Sequence, residues 1–281
     1  MSKKSLPEIP TPEEFCLEVN LYTYYMLDAA KIRELSAFSG PVDMYCVQCK
    51  KNSVFKKPAT LRGVPATPSR NSVAPTQDEI DRRTLRERIF TLELTCSRET
   101  SHTAAFIFQI KKGSICKIGQ SPSKADIEIP ELNKYRKLLQ SDYNELTRAV
   151  GLASHGIGIG SFVYLRRIFE RLVNEAAEKK HIDDSTWEFE EWKLYKGMDE
   201  KIKALVGYLP DFMVRNRSIY GILSKGVHQL DEKECLEYFT IIKTSICEIL
   251  DDKLAIQNKE SKRRILEQAI GKITGNLNQE S

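Results

Sequence analysis

The sequence has no apolar run near the roughly 20 residues that span a bilayer. Its start, Met1-Ser-Lys-Lys-Ser-Leu-Pro7, is basic with no apolar core behind it. Neither a transmembrane helix nor a secretory signal is expected. Charge of one sign is also lacking: 43 Lys and Arg against 39 Asp and Glu leave only +4. No global field recruits nucleic acid or an anionic membrane, so any basic site must be local. Walker, Gly-x-Ser-x-Gly, His-Glu-x-x-His and paired-carboxylate signatures are all missing, which removes the commonest nucleotidase and hydrolase classes. The seven cysteines are odd in number, and 281 residues can hold a core without disulfides. Reduced thiols in a cytoplasmic setting are the expectation.

What is present is an ordinary folded composition, 41% hydrophobic and 29% charged. Thr11-Pro12-Glu13-Glu14 reads as a capped helix start, and a second short helix follows Asp28 and ends at Ser39-Gly40-Pro41. Residues 56–80 hold Pro58, Pro65, Pro68 and Pro75 with Arg62 and Arg70, and read as a long loop between strands. Phe90, Leu92 and Leu94 alternate as in a strand, and 104–110 continue the pattern. Lys111-Lys112-Gly113-Ser114 is a hairpin signal.

Beyond residue 125 the period becomes helical. One stripe runs from Phe162 through Leu165, Phe169, Leu172, Val173 and Ala176. A shorter one holds Ile202, Leu205, Val206 and Leu209. The longest runs from Leu236 to Leu250, and a last covers Ile265 to Ile273. The expected fold class is α+β: a helical lead-in over 1–41, a small β zinc-ribbon domain over 42–124, and an all-α helical bundle over 125–281 with a basic C-terminal helix.

The strongest chemical signal is Cys46-x-x-Cys49, followed by Cys96 and His102. Two cysteines at that spacing sit on a tight knuckle that aims both thiolates at one point, and the second pair can close a tetrahedron. Zinc accepts sulfur and imidazole together and imposes no d-electron geometry. The long intervening loop is tolerated because closure cost grows only logarithmically. The arrangement resembles a zinc ribbon, and four protein ligands imply a structural Zn2+. Cys116 is the substitute for His102, but its alternation with Ile115 and Ile118 reads as core or surface. Cys16, Cys235 and Cys247 lie at helical positions and read as packing residues.

Basic residues gather at Arg82, Arg83, Arg86 and Arg88, and again at Lys259, Lys262, Arg263 and Arg264. Solvated surface is the default for each cluster. The first one, beside a zinc site, is the candidate for phosphate contact with RNA or DNA. Gly156-x-Gly158-x-Gly160 lacks the strand and the Lys-Ser/Thr of a nucleotide motif, so a turn or close helix packing is expected there. His155 reads as a helix cap. Trp187 and Trp192, in an acidic stretch, read as packing or a protein contact.

Two segments carry a family resemblance. Gly151-Leu-Ala-Ser-His155-Gly-Ile-Gly-Ile-Gly160 leads into Ser-Phe-Val-Tyr-Leu-Arg166-Arg167-Ile-Phe-Glu170. Later comes Arg215-Asn-Arg217-Ser-Ile-Tyr220-Gly-Ile-Leu-Ser224-Lys225-Gly226-Val-His228. Together, over roughly 142–253, they resemble a HEPN-type bundle (higher eukaryote and prokaryote nucleotide-binding superfamily). The resemblance implies a homodimer and a bacterial RNA, defence or mobile-element setting with a partner protein. The superfamily's nucleases pair an arginine with a histidine four to six residues later. Here His228 has no such arginine, and Arg217 is three helical turns away. A non-catalytic nucleic-acid-associated or regulatory component is therefore the leading expectation. A ribonuclease using His228 with Lys225 is the rival, and a protein-interaction scaffold is the third reading.

Overall fold

The structure, a computed structural model, describes residues 6–58 and 75–279, with side chains as far as Thr274. Arg62, Arg70, Pro65 and Pro68 lie outside the described residues. No described helix is long and apolar enough to cross a membrane.

The chain forms two compact units. The first comprises the residues up to Glu131 together with Val150–Gly156, and the second Leu132–Ala149 with the residues from Ile157 onward. The first opens with helix α1 (Pro12–Leu17), where Thr11 and Glu14 form a reciprocal capping box. Strand β1 (Tyr24–Met26) follows, then α2 (Ala29–Ala37), capped by the Asp28 carboxylate accepting from the Lys31 amide at 2.8 Å. Next come β2 (Val42–Cys46), β3 (Lys51–Lys56), α3 (Gln77–Thr84), β4 (Arg88–Cys96), β5 (Thr103–Lys111) and β6 (Ser114–Ser121). The six strands make one antiparallel sheet in the order β1-β6-β5-β4-β3-β2. Period-two alternation sends Leu92, Leu94, Phe106, Phe108 and Ile110 to a buried face. Phe15 of α1 and Ile32 and Leu35 of α2 belong to the same core.

This sheet corrects the expectation of a small ribbon. It starts at Tyr24, inside the stretch read as a helical lead-in, because Tyr24–Met26 pairs along β6 in the register Tyr24↔Cys116. Three residues are too few to show a period, and only tertiary pairing reveals them. The loop reading of 56–80 also needs correcting. Thr76 and Glu79 form a second capping box and start α3, which buries no side chain.

After α4 (Lys124–Leu132), α5 (Arg136–Leu139) and two short 3-10 turns come α6 (Tyr143–Ser154), α7 (Gly158–Asp183), α8 (Phe189–Lys193), α9 (Met198–Lys203), α10 (Asp211–Arg215), α11 (Ser218–His228) and α12 (Glu232–Gln279). The α7 stripe is buried as its period predicts. In the next stripe Val206 departs, standing 62% exposed while Ile202, Leu205 and Leu209 are buried. The two apolar stripes beyond residue 236 belong to one 48-residue helix, α12, and only the first of them is covered.

Helices α7 and α12 run in the same direction. Gly158 lies against Glu232 and Cys235, Glu175 pairs with Lys253, and Lys179 reaches Glu260 at 3.6 Å. The glycines serve close packing. A Cβ on Gly158 would stand 2.6 Å from the Glu232 carbonyl, and one on Gly226 would run into the buried Phe162 ring. The backbone amides of Gly158 and Ile159 donate to the Glu232 carboxylate. The protein's own anion therefore fills the cradle a phosphate would take. Gly156, at φ +82°, follows the end of α6. Trp187, Phe189 and Trp192 form an aromatic cluster in which Trp192 is buried and donates to the Lys201 carbonyl at 3.1 Å.

Candidate metal centre

Two antiparallel hairpins, β2–β3 and β4–β5, lie side by side because β3 pairs with β4. Their turns therefore come to the same end of the sheet. Cys46 ends β2 opposite Lys51, and the turn reverses through Lys50 at φ +55° to present Cys49. Cys96 ends β4 opposite Phe55. Its amide donates to the His102 carbonyl at 2.9 Å, which closes the second turn. The hydrophobic pattern thus sets the register, and the register brings together ligands that lie about 50 residues apart in sequence.

The three Sγ atoms and His102 Nδ1 all lie within 4.8 Å of one another. Individual edges are 3.9 Å for Cys49–Cys96, 3.7 Å for Cys46–His102 and 3.2 Å for Cys49–His102. A tetrahedral zinc, at about 2.3 Å from sulfur and about 2.0 Å from nitrogen, sets its donors roughly 3.5–3.8 Å apart. The donor set suits such an ion in chemistry, and these three edges bracket that spacing. Cys46 and Cys96 are buried, and Cys49 is half-buried.

The thiols are also biased toward a cation. Burial disfavours the Cys96 thiolate, but the Ser53 hydroxyl at 3.1 Å and the Arg98 and Glu99 amides outweigh it, and the thiol is lowered to about 6. Burial and the neighbouring Cys46 and Cys96 sulfurs push Cys49 up to about 11. Three thiolates cannot share one pocket without a positive charge among them, which a divalent ion held there would supply. The Cys49 amide points at Cys46 Sγ at 3.4 Å, as in a thiolate knuckle. Ser53 and this amide contact are parts of the site that cysteine spacing does not reveal. Cys116 sits buried in β6, between Ile115 and Lys117, which are buried as well, so no in–out alternation holds at this point of the strand.

The arginine cluster divides. Arg82 and Arg83, in the last turn of α3, and Arg86 beyond it are exposed. Arg88 turns inward. Its guanidinium donates to the carbonyls of Thr84, Arg83 and Arg86 and lies 5.3 Å from the Phe90 ring centre. It holds the end of α3.

In the helical unit His228 meets an arginine from another helix. Arg166 of α7 places Nη1 at 3.3 Å from His228 Nε2, donates through Nε to Glu170 at 2.9 Å, and through Nη2 to the Tyr220 hydroxyl at 3.1 Å. Tyr220 in turn donates to Glu170 at 2.8 Å. Burial, and then the Glu170 carboxylate, raise the Tyr220 phenol above its ordinary value, so it stays a donor at neutral pH. Among the described residues the exposed Lys225 makes no side-chain hydrogen bond to His228, and its backbone carbonyl accepts from the Gln229 and Leu230 amides. The sequence pattern Arg166-x-x-x-Glu170 shows only the pair along α7, because the other partners lie 54 and 62 residues away. No family model, curated protein or solved structure matches the chain, so its function is read from the chemistry of these sites.

Proposed function

We propose that this chain is a non-catalytic, nucleic-acid-associated component whose sheet unit is held by one structural zinc and whose helical unit is HEPN-like. The observation that carries the reading is the convergence of the donor atoms of Cys46, Cys49, Cys96 and His102 to within 4.8 Å of one another on two hairpin tips. Four protein donors leave no coordination position for a substrate or an activated water, so the ion's role is to hold the fold. Arg82, Arg83 and Arg86 support the nucleic-acid part. They are exposed, adjacent and without carboxylate partners among the described residues, which suits phosphate contact. The test is binding of labelled RNA and DNA oligonucleotides to the zinc-loaded protein over a salt series. Affinity should fall with salt, and Arg82→Ala, Arg83→Ala and Arg86→Ala together should flatten that slope by up to about three phosphate contacts. Binding that ignores both salt and these arginines removes the nucleic-acid part and leaves the scaffold reading.

A second reading has one specific observation behind it, the Arg166–His228 contact. Once a ribose hydroxyl displaces the guanidinium from His228 Nε2, that nitrogen can take the hydroxyl proton, and the displaced guanidinium can stabilise the charge that then develops. In this reading Arg166 replaces Lys225 as the cation, and a planar fork suits that task better than an ammonium. Metal-independent RNA cleavage, lost in both His228→Ala and Arg166→Lys at unchanged melting temperature, would install this reading over the first.

A further inference from the structure

Helix α12 is covered on one side only. Cys235, Phe239, Ile242, Ile246, Ile249 and Leu250 are buried against the rest of the helical unit. From Ala255 to Thr274 every side chain is exposed, and the last ion pair to α7 is Lys179–Glu260. A helix end of that length is marginal in water without a partner. Yet it carries Leu266, Ile270 and Ile273 at 60–62% exposure, and further back on the same side stand Tyr238 at 42% and Ile241 at 69%.

The order of residue types along this side is distinctive. At about 100° per residue, the positions from Tyr238 to Ile273 that step by three and four fall in one arc of roughly 100°, which flanks the buried face with its centre about 120° round the helix from that face's. Along the arc come an apolar pair (Tyr238, Ile241), an acidic pair (Glu248, Asp252), a basic pair (Lys259, Arg263) and an apolar group (Leu266, Ile270, Ile273). None of the four charged residues has an ion-pair partner among the described residues. A two-fold axis between Ala255 and Ile256 lays the sequence on its own reverse. Asp252 then faces Lys259, Glu248 faces Arg263, Ile241 faces Ile270 and Tyr238 faces Ile273. The one uneven pair is Ser245 with Leu266. A parallel pairing would instead set each acid against its own copy and each base against its own.

We infer that α12 is the dimerisation element, pairing antiparallel with α12 of a second copy of this chain along this face. The alternating steps of three and four are the seam spacing of two packed helices. An isologous two-fold interface requires the self-complementarity found here. The apolar ends supply the affinity. The exposed charge pairs are individually weak, and set direction and register by penalising the alternatives. The inference rests on α12 alone and stands whether or not the zinc and nucleic-acid readings hold.

The test is sedimentation velocity of the full chain across the micromolar range, with circular dichroism as a check on folding. Wild type should be a dimer. Glu248→Arg with Asp252→Lys should weaken dimerisation roughly 10–100-fold, since each reversal acts twice across the two-fold at up to about 1 kcal/mol per pair. Lys259→Asp with Arg263→Glu should do the same. Mixing these two double variants should restore a dimer, and so should combining all four changes in one chain. A monomeric wild type, a dimer indifferent to either reversal, or a mixture that stays monomeric with helix content intact would each overturn the inference.

Discussion

The two compact units solve the problem of a stable end in different ways. In the sheet unit the apolar core lies between one face of the sheet and helices α1 and α2, while the tips of β2–β3 and β4–β5 carry thiols and an imidazole. In the helical unit, α7, α11 and α12 close on one another through apolar side chains and through glycines that admit close approach at Gly158 and Gly226. On the proposed reading the first solution depends on a cation and on the state of three thiols. The second depends on volume. Perturbations should therefore separate cleanly by kind, and each can be aimed at one unit.

The largest effect should come from ligand loss. Cys49→Ser or Cys96→Ser should abolish metal binding and open the residues around both hairpin tips, because structural zinc contributes about 10–16 kcal/mol of apparent binding free energy that doubles as folding free energy. Limited proteolysis should cut within β2–β5 while the region from α7 to α12 survives. Equal protection of both regions in the variant would break the comparison.

The converse change is Gly158→Ala. The added methyl meets the Glu232 carbonyl at 2.6 Å and Cys235 Cβ at 2.7 Å, and neither belongs to a side-chain end that can swing away. A loss of roughly 1–3 kcal/mol is expected from the helical unit. Denaturant unfolding should report it, with metal content unchanged. A neutral result would show that the helices can part more easily than their packing implies.

Much of this contrast was legible in the sequence, for identifiable reasons. Cys46-x-x-Cys49 is a local pattern, and Thr11 with Glu14 is a local cap, so both could be read without tertiary knowledge. The α7 stripe has a strong period over several turns. What stayed hidden depended on distant partners. Tyr24–Met26 becomes a strand only because β6 lies beside it, and Arg166 meets His228 only because α7 and α11 pack. Residues 76–79 carried a capping signal as clear as that at 11–14, but the prolines around it argued for a loop. Glu232 shows the same limit, since nothing near it in sequence marks it as the cap of α7.

A smaller effect sharpens the picture of the sheet core. Lys117 is fully buried, with Nζ donating to the Cys16 carbonyl at 2.6 Å and to Gln120 at 2.7 Å. Burial, and then repulsion from Lys124, lower its ammonium from 10.5 to about 7. Between those values the unfolded chain binds more protons than the folded one, so this group's contribution rises with pH through the window and is absent below it. Lys117→Met should remove that rise, which is at most about 1.4 kcal/mol per pH unit. The difference in melting temperature between variant and wild type, followed from pH 7 to about 10, checks it. A flat difference would contradict the assignment.

The smallest expected change is at Ser53, which supports the centre without binding the ion. Ser53→Ala removes the hydroxyl 3.1 Å from Cys96 Sγ. The fold should persist while zinc affinity, measured by competition with a chelating dye, falls by about tenfold. No change would mean that the backbone amides of Arg98 and Glu99 suffice to hold the thiolate.

The central claim is that a single tetrahedral zinc holds the hairpin tips of the sheet unit and nothing else. Native mass spectrometry of the purified full chain, followed by hydrogen exchange before and after chelation, tests it directly. One zinc per chain is expected, with chelation accelerating exchange across β2–β5 and leaving α7, α11 and α12 unchanged. A chain that purifies without metal and keeps the slow exchange of β2–β5, or one whose helices lose protection together with the strands, would contradict it.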